Sequence, residues 1–271
     1  MTASPDTSDP LDLRLLWAAG YRTVEHLPET GSTMDRGRAL ALERRAAVPA
    51  VVIADRQTSG RGRRGARWWQ AAGSLAASLV LDPAATAAGS VAPPTWSLAC
   101  GVAVAETVAA LAGVDARLRW PNDVELAGRK LAGILVEAAA GGRVVVGIGV
   151  NTRGTAADAP AAIRAAVATL PDATGRPLAR GAFLAALLPR LEPLLVAATR
   201  QPESLVARYR SLCGLTGRTV TLHVDGTSRV GVCRGIAADG SLVLDTATGT
   251  ERFLAGSLTA PAAVWRGEPE A

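Results

Sequence analysis

A glycine- and arginine-rich segment at residues 58–69, TSGRGRRGARWW, interrupts two apolar runs and limits how the chain can fold. Glycine disfavours a helix by about 1 kcal/mol per position relative to alanine, and a core strand has no place for four guanidinium groups. The flanking runs, AVVIAD at 50–55 and GSLAASLVLD at 73–82, have the apolar, partly β-branched character of buried strands. We therefore expect a buried sheet from which a charged loop projects.

The net positive charge of the chain is concentrated in and around this loop. The formal net charge is +5 over 271 residues. From Asp55 to Arg67 there are five arginines and one acid, which gives +4 and leaves the remainder close to neutral. A protein that coats nucleic acid usually spreads its basic residues over a face or stripe. Concentration in one glycine-rich loop instead favours a small anionic ligand, such as the phosphates of a nucleotide.

Cysteine and histidine usage argues against a metal centre or a histidine-based triad. The two histidines, His26 and His223, have no partners at useful spacing. The three cysteines are far apart and show no metal-ligand spacing, so reduced and mostly buried thiols are expected. They are Cys100, Cys213 and Cys233.

The chain ends and its apolar runs predict a cytoplasmic setting. The first residues, MTASPDTSDPLDL, are polar and acidic, unlike a signal peptide. No apolar run is expected to be long enough to cross a membrane, because Glu106 and Asp115 interrupt the best candidate. Reduced cytoplasm is the default for such a chain.

Composition and the positions of turn-forming residues divide the chain into three parts. With 49% apolar and 20% charged residues, it is long enough for one large domain and a small one. We expect a tail and short helix over 1–20 and the large domain over 21–213. The last part, 214–271, has short alternating runs between DG, ADG and ATG turns, which predicts a small β-barrel or sandwich.

The apolar pattern of the large domain predicts alternating helices and strands. Helices are expected over 34–47, 93–113, 160–170 and 178–212, the last punctuated by prolines. Strands are expected at 23–27, 50–55, 73–82 and 143–151, with another at 116–123 broken by Pro121. A hairpin is expected around Ala127–Gly128.

The loop residues suit anion binding. Glycines 60, 62 and 65 permit positive φ and let backbone N–H groups approach an anion. Arginines 61, 63, 64 and 67 add charge-assisted donors for phosphate oxygens. An RG-type RNA-binding segment and a solvated surface loop are the alternatives. A disordered RG segment would not normally lie between two buried strands and end in Trp68 and Trp69.

A second motif, RWPNDVELAGRKLAGILVE at 119–137, contains the only lysine of the chain, Lys130. The other 28 basic residues are arginines, so a retained lysine indicates a site that needs a compact ammonium, with chance retention as the alternative. Gly133 follows on the same expected strand, where glycine indicates a close approach to the backbone. The run GIGVN at 147–151 has the same property, or else simply packs closely against a helix.

These motifs resemble those of the biotin protein ligases. GRGRRGARW is similar to that family's glycine–arginine loop, RWPNDVELAGRKLAGILVE to its second signature and VVVGIGVNT to its third. TGSTMDRG resembles the family's entry to the biotin pocket, and the order and spacing also match. Two positions depart. Met34 stands where the family often has Asn, so no polar biotin contact is assigned to it. Ala66 stands where another arginine is common.

The resemblance implies an α+β fold. The catalytic domain would have a mixed sheet like that of the class II synthetases, and the C-terminal domain would be a small SH3-like β-barrel. The implied reaction joins biotin to a lysine of a biotin carboxyl carrier protein domain. It proceeds through biotinyl-5′-AMP with release of pyrophosphate, and Mg²⁺ accompanies ATP.

The resemblance also implies roles for individual residues. Lys130, Arg63 and Asp123 would be catalytic. Lys130 would lie between the biotin carboxylate and the α-phosphate, and Asp123 would orient or deprotonate the carrier lysine. The implied biotin-binding residues are Ser32, Thr33, Gln57, Gly60, Arg61, Gly62, Arg63, Lys130 and Gly133. The implied ATP-binding residues are Arg61, Arg63, Arg64, Trp68, Asn122, Lys130 and Asn151.

Several alternatives stay open. A lipoate or octanoate ligase of similar architecture is one, and an RNA-binding module that uses the RG loop is another. Some family members carry an N-terminal winged helix that binds DNA. Only about thirty residues precede the expected pocket motif, so we expect a ligase without regulatory DNA binding. No membrane partner is expected, because the apolar runs are interrupted. The oligomeric state, a homodimer included, is undetermined.

Overall fold

A seven-stranded mixed sheet forms the centre of the large domain. A computed structural model describes residues 11–43, 46–84 and 93–259. The strand order is β1-β2-β3-β7-β6-β5-β4, with β1 parallel to β2 and every other pair antiparallel. The strands are β1 Thr23–Thr30, β2 Ala50–Gln57, β3 Leu75–Leu81, β4 Arg117–Arg119, β5 Asp123–Leu126, β6 Arg129–Ala138 and β7 Val144–Val150.

Helices cover both faces of this sheet, because residues of the central strands alternate between two apolar clusters. Along β2, Val51 and Ile53 belong to the main core with α3 and α6, whereas Ala50 and Val52 pack beneath α2. The helices are α1 Leu13–Ala18, α2 Thr33–Leu42, α3 Thr95–Ala112, α4 Ala161–Arg164, α5 Leu170–Thr174, α6 Arg180–Arg200 and α7 Pro202–Leu212.

Most expected elements of the large domain are present, with three differences at helix boundaries. Helix α2 ends at Leu42, well before residue 47. The helical stretch expected over 160–170 is limited to the four residues of α4, and α5 begins at its end, at Leu170. The stretch expected over 178–212 is divided before Pro202 into α6 and α7, whereas Pro189 and Pro193 lie inside α6.

We expected no apolar run long enough to span a membrane, and by length and composition alone this expectation is wrong. Helices α3 and α6 are both long and apolar enough to do so. A single acid such as Glu106 barely lowers the average hydropathy of a window, and here it pairs with Arg208 of α7 at 2.6 Å. The two helices pack against each other and supply much of the main core. Both helices are partly buried inside this fold, α3 more than α6, and such composition also occurs in core helices.

The C-terminal part forms a second, antiparallel sheet, which confirms an α+β fold. Its strand order is β11-β10-β9-β8-β12. Trp120 of the large domain donates its indole N–H to the carbonyl of Gly240, at 3.0 Å, which ties this sheet to the WPND turn. The strands are β8 Thr219–Val224, β9 Thr227–Ile236, β10 Leu242–Thr246, β11 Gly249–Phe253 and β12 Ser257–Leu258.

Candidate active site

A cavity opens where the glycine–arginine loop crosses the sheet. Its floor comes from β3, β6 and β7, one wall from the start of α2 and the other from the WPND turn and β12. The lining includes five of the loop's polar or aromatic side chains, Arg67 among them, and residues from both sheets. Among the lining residues are Thr33, Met34, Gln57, Arg61, Arg63, Arg64, Trp68, Asn122, Asp123, Lys130, Gly133, Gly147, Gly149 and Ser257.

The glycines of β6 and β7 make the floor flat enough for two large side chains. Gly133 and Gly149 are register partners on adjacent strands, and the indole of Trp68 lies over both. A Cβ on Gly149 would stand 2.5 Å from Trp68 Cε2, and one on Gly133 would stand 3.2 Å from Cζ3. Gly147 accommodates Met34 in the same way, because a Cβ there would lie 2.6 Å from Sδ.

The cavity has a polar end where α2 begins. Ser32 caps the helix by accepting the backbone N–H of Met34. Gln57, the last residue of β2, accepts two hydrogen bonds at Oε1. They come from the Thr33 backbone N–H at 2.9 Å and from the Thr33 hydroxyl at 3.1 Å.

Lys130 places its ammonium at the centre of the cavity. Its Nζ is 2.7 Å from Asp123 Oδ1 and 5.7 Å from the centroid of the Trp68 ring. The β5–β6 hairpin produces this pairing through a type I′-like turn at Ala127–Gly128, where both residues have positive φ. Glu125 is opposite Lys130 in the register, and burial raises the pKa of its carboxyl.

Arg63 and Arg64 both line the cavity, and Arg63 has a neutral hydrogen-bond partner. Its Nη1 donates to Asn122 Oδ1 at 3.4 Å. Burial lowers the pKa of the Arg63 guanidinium, and the neighbouring charge of Arg64 lowers it further. The charge of Asp123 raises the pKa, but it does not outweigh these two effects. A half-buried cation in this state gains from an anionic ligand, because the ligand replaces lost water and adds opposite charge.

The other loop arginines are held by protein partners that fix the shape of the loop. Arg61 bridges two acids, with Nη1 at 2.8 Å from Asp35 and Nη2 at 3.2 Å from Glu137. Arg67 donates to the carbonyl of Thr58 at 2.7 Å. Between them a short 3₁₀ turn places Arg64 at φ 53°, in the left-handed region.

The C-terminal sheet completes the wall on the WPND side. Arg64 donates to Ser257 Oγ at 3.2 Å. Arg119 donates to the carbonyl of Thr259 at 3.2 Å and is 3.7 Å from Glu125. Loop, hairpin and second sheet are therefore joined around one cavity.

Comparison with known proteins decides the family. The sequence matches the Biotin/lipoate A/B protein ligase family over residues 29–151 and the Biotin protein ligase C terminal domain over 216–257. A Biotin--[acetyl-CoA-carboxylase] ligase of Mycobacterium tuberculosis is 32% identical over 271 residues, which is 95% of this chain and 98% of the relative. The chain belongs to the biotin protein ligase family.

Other relatives and one solved structure agree with this assignment. A Bifunctional ligase/repressor BirA of Bacillus subtilis is 29% identical over 77% of this ligase and 65% of its own length. The structure of a biotin protein ligase from Aquifex aeolicus, in complex with biotin and ATP, superposes with a TM-score of 0.77 at 26% identity. That match covers 88% of this chain and 98% of the Aquifex chain.

The structure brings most residues implied by the family resemblance to the cavity of the ligase, and leaves three outside its lining. Gly60 supports the loop, since a Cβ there would stand 2.8 Å from the Trp68 carbonyl. Asn151 is buried, and its side-chain amide donates to the carbonyl of Ala168 at 3.1 Å. Ser32 acts as the helix cap described above. The ligand roles of all these residues, inside and outside the lining, stay predictions.

Sequence reasoning did not identify Met34 as a cavity wall, nor the contribution of Arg119 and β12. Met34 is buried beside its polar neighbour Thr33, and the motif signalled only that an expected Asn was missing. The β12 residues have no chemical signature of their own. Their role depends on how the second sheet docks, which local patterns do not encode.

Proposed function

We propose that this ligase activates biotin with ATP and transfers it to a lysine of a biotin carboxyl carrier domain. The observation that carries the proposal is the convergence of Lys130 and Arg63 on one cavity. Arg63 meets only a neutral partner there, among the described residues. The Aquifex relative, bound to biotin and ATP, and relatives named as acetyl-CoA-carboxylase ligases support both the substrates and the acceptor.

In the first step, a carboxylate oxygen of biotin attacks the α-phosphorus of ATP. A P–O bond forms in biotinyl-5′-AMP, and the bond to the departing pyrophosphate breaks. Two anions must meet, so catalysis consists mainly of positioning and charge stabilisation. Lys130 and Arg63 supply the cationic groups. As the anions arrive, Lys130 can exchange its contact with Asp123 for contacts with the carboxylate and the phosphate.

In the second step, the amine of the carrier lysine attacks the acyl carbon of the mixed anhydride. An amide forms, AMP leaves, and the amine loses a proton. Once Lys130 has turned toward the phosphate, the carboxylate of Asp123 is free to orient that amine or accept its proton. Trp68, Arg64 and β12 would cover the anhydride and limit its hydrolysis by water.

Magnesium would enter with ATP. Mg²⁺ keeps several waters and usually binds through substrate phosphates and one or two carboxylates. Within the described ranges, no group of three or more potential metal ligands is found. The residues therefore suit an ion that is held chiefly by the phosphates, and ligands from this chain need not surround it.

We propose a cytoplasmic enzyme, a setting that suits the three free thiols. We also propose a ligase without operator DNA binding, because its excess of positive charge is largely confined to the loop segment. A gel-shift titration that found tight, sequence-specific DNA binding would contradict the second statement.

Biotin-dependent exchange of pyrophosphate into ATP tests the first step directly. Wild type should exchange with biotin and not with lipoate, and Lys130→Ala should lose exchange by about a hundredfold or more, as groups that stabilise the transition state do. Lys130→Arg should also be impaired, since a guanidinium cannot replace a compact ammonium. Arg129→Ala is the matched control, because Arg129 is the exposed neighbour of Lys130 on the same strand. Exchange with lipoate alone, or an active Lys130→Ala, would overturn the proposal.

A further inference from the structure

Ser78 is a polar residue in the middle of the buried strand β3. All seven residues of that strand are buried, and Ser78 itself is 0% exposed. Its register partners are Val52 on β2 and Gly147 on β7. A hydroxyl in such surroundings is costly unless it is hydrogen-bonded. Its bond is to the hydroxyl of Thr33, with 2.9 Å between the two oxygens.

The direction of each hydrogen bond in this group follows from the chemistry of the donors. The Thr33 backbone N–H can only donate, so the Gln57 amide must turn its oxygen toward Thr33. That oxygen only accepts, so the Thr33 hydroxyl proton also points at it. Thr33 Oγ1 then accepts from Ser78, which acts as the donor at the start of the chain Ser78–Thr33–Gln57.

Close packing of α2 on the sheet brings these groups together. Thr33 and Gly37 are four residues apart, on the same face of the helix. A Cβ at Gly37 would stand 2.9 Å from Val145 Cγ1 and 3.5 Å from Ser78 Cβ. The missing side chain lets the helix approach β3 closely enough for the two hydroxyls to meet.

We propose that Ser78 is a positioning residue for the polar end of the cavity. Thr33 and Gln57 line the cavity, and Ser78 does not. Ser78 therefore acts through Thr33, holding its hydroxyl rotamer and, with the Thr33 N–H, the plane of the Gln57 amide. This inference rests on the proposed function in one respect, namely that biotin is the ligand these two side chains orient.

Biotin titration of a double-mutant cycle tests this coupling. Ser78→Ala should raise the Kd and the KM for biotin about five- to tenfold, the usual effect of losing one hydrogen bond. The kcat at saturating biotin should stay within about twofold, because Lys130 and Arg63 are untouched. In a Thr33→Val background, Ser78→Ala should have almost no further effect on Kd. Additive effects of the two substitutions would overturn the inference.

A matched control separates positioning from loss of stability. Thr107 is equally buried, and its hydroxyl bonds only to the Ala103 carbonyl of its own helix. Thr107→Val should leave the Kd for biotin unchanged. If it weakens binding as much as Ser78→Ala does, general destabilisation explains the result and the inference fails.

Hydrogen exchange at the Thr33 amide provides a test without ligand. That N–H donates to Gln57 Oε1, so it should exchange several-fold faster in Ser78→Ala and normally in Thr107→Val. An unchanged rate in Ser78→Ala refutes the coupling, whatever the cavity binds. Faster exchange of the Thr33 amide in Ser78→Ala, together with a wild type that does not bind biotin, would refute the proposed function. The role of Ser78 would then still be supported.

Discussion

Gly149 is the position where one added carbon tests the cavity floor most directly. A Cβ in Gly149→Ala would stand 2.5 Å from Trp68 Cε2 and 2.7 Å from Nε1. Relaxed non-bonded contacts between carbon atoms lie at about 3.5–4.0 Å. Either the strand or the indole must therefore move by about 1 Å.

The indole is the group expected to move. Gly149 lies on β7, which is paired on both sides, and its register partners are Ala76 of β3 and Gly133 of β6. Trp68 belongs to the loop, which is less constrained. Overpacking of this kind costs about 1–3 kcal/mol, and about 1.4 kcal/mol corresponds to a tenfold change in affinity. We expect this free energy to destabilise the position of Trp68 that binds the ligand, which would raise the Kd for biotin about five- to 150-fold.

Calorimetric titration with biotin, together with thermal unfolding, measures the effect of Gly149→Ala. Gly101→Ala is the control, because its Cβ would meet only Leu118 Cδ2, at 3.3 Å, within a helix that favours alanine. That variant should bind biotin normally. In a Trp68→Ala background, Gly149→Ala should cost much less than in wild type. Binding of biotin by Gly149→Ala within twofold of wild type would refute the reasoning.

Two further predictions concern charge and protonation. Arg180→Met should lower the free energy of unfolding in urea by about 2–4 kcal/mol, because Arg180 is buried and its Nη1 is 2.6 Å from Asp55. Burial works to raise the pKa of Asp55, but hydrogen bonds from His26 and Arg180 outweigh it and leave the pKa below its ordinary value. Stability from this pair is thus present above the unfolded-state pKa and lost as pH falls through the folded-state value, so acid unfolding of Arg180→Met should begin at higher pH. A hydrogen bond from Cys233 holds the pKa of the Cys213 thiol below its usual range, so the alkylation profile of Cys213 should shift to higher pH in Cys233→Ala.

The core elements could be predicted from the sequence because each has a local cause. The β-branched runs at 50–55 and 143–151 become β2 and β7, and Gly113 ends α3 in the left-handed conformation. Local signals are weaker at the interior of α6. Pro189 lies there because burial of the helix outweighs the hydrogen bond that proline removes. Tertiary packing, which the sequence pattern does not display, decides such cases.

Residues that line the cavity could be singled out where a residue type is chemically unusual for its surroundings. A single lysine among arginines, and glycines within buried strands, both pointed to the cavity. Ser78 offered the same kind of signal, a hydroxyl within an apolar strand, but its partner is 45 residues away in the chain. Contacts between elements distant in sequence, such as Arg119 with β12, follow from docking of the two sheets and have no local motif.

The four loop arginines look equivalent in sequence, but their partners separate them into two pairs. Arg61 is bound to Asp35 and Glu137, and Arg67 donates to a backbone carbonyl, so both help to hold the loop's shape. Arg63 and Arg64 have hydrogen-bond partners that are neutral, Asn122 and Ser257. A phosphate that enters the cavity gains most from this second pair, because no carboxylate has to be displaced from either hydrogen bond. The first pair supplies the folded turn that keeps two like charges close together before the anion arrives.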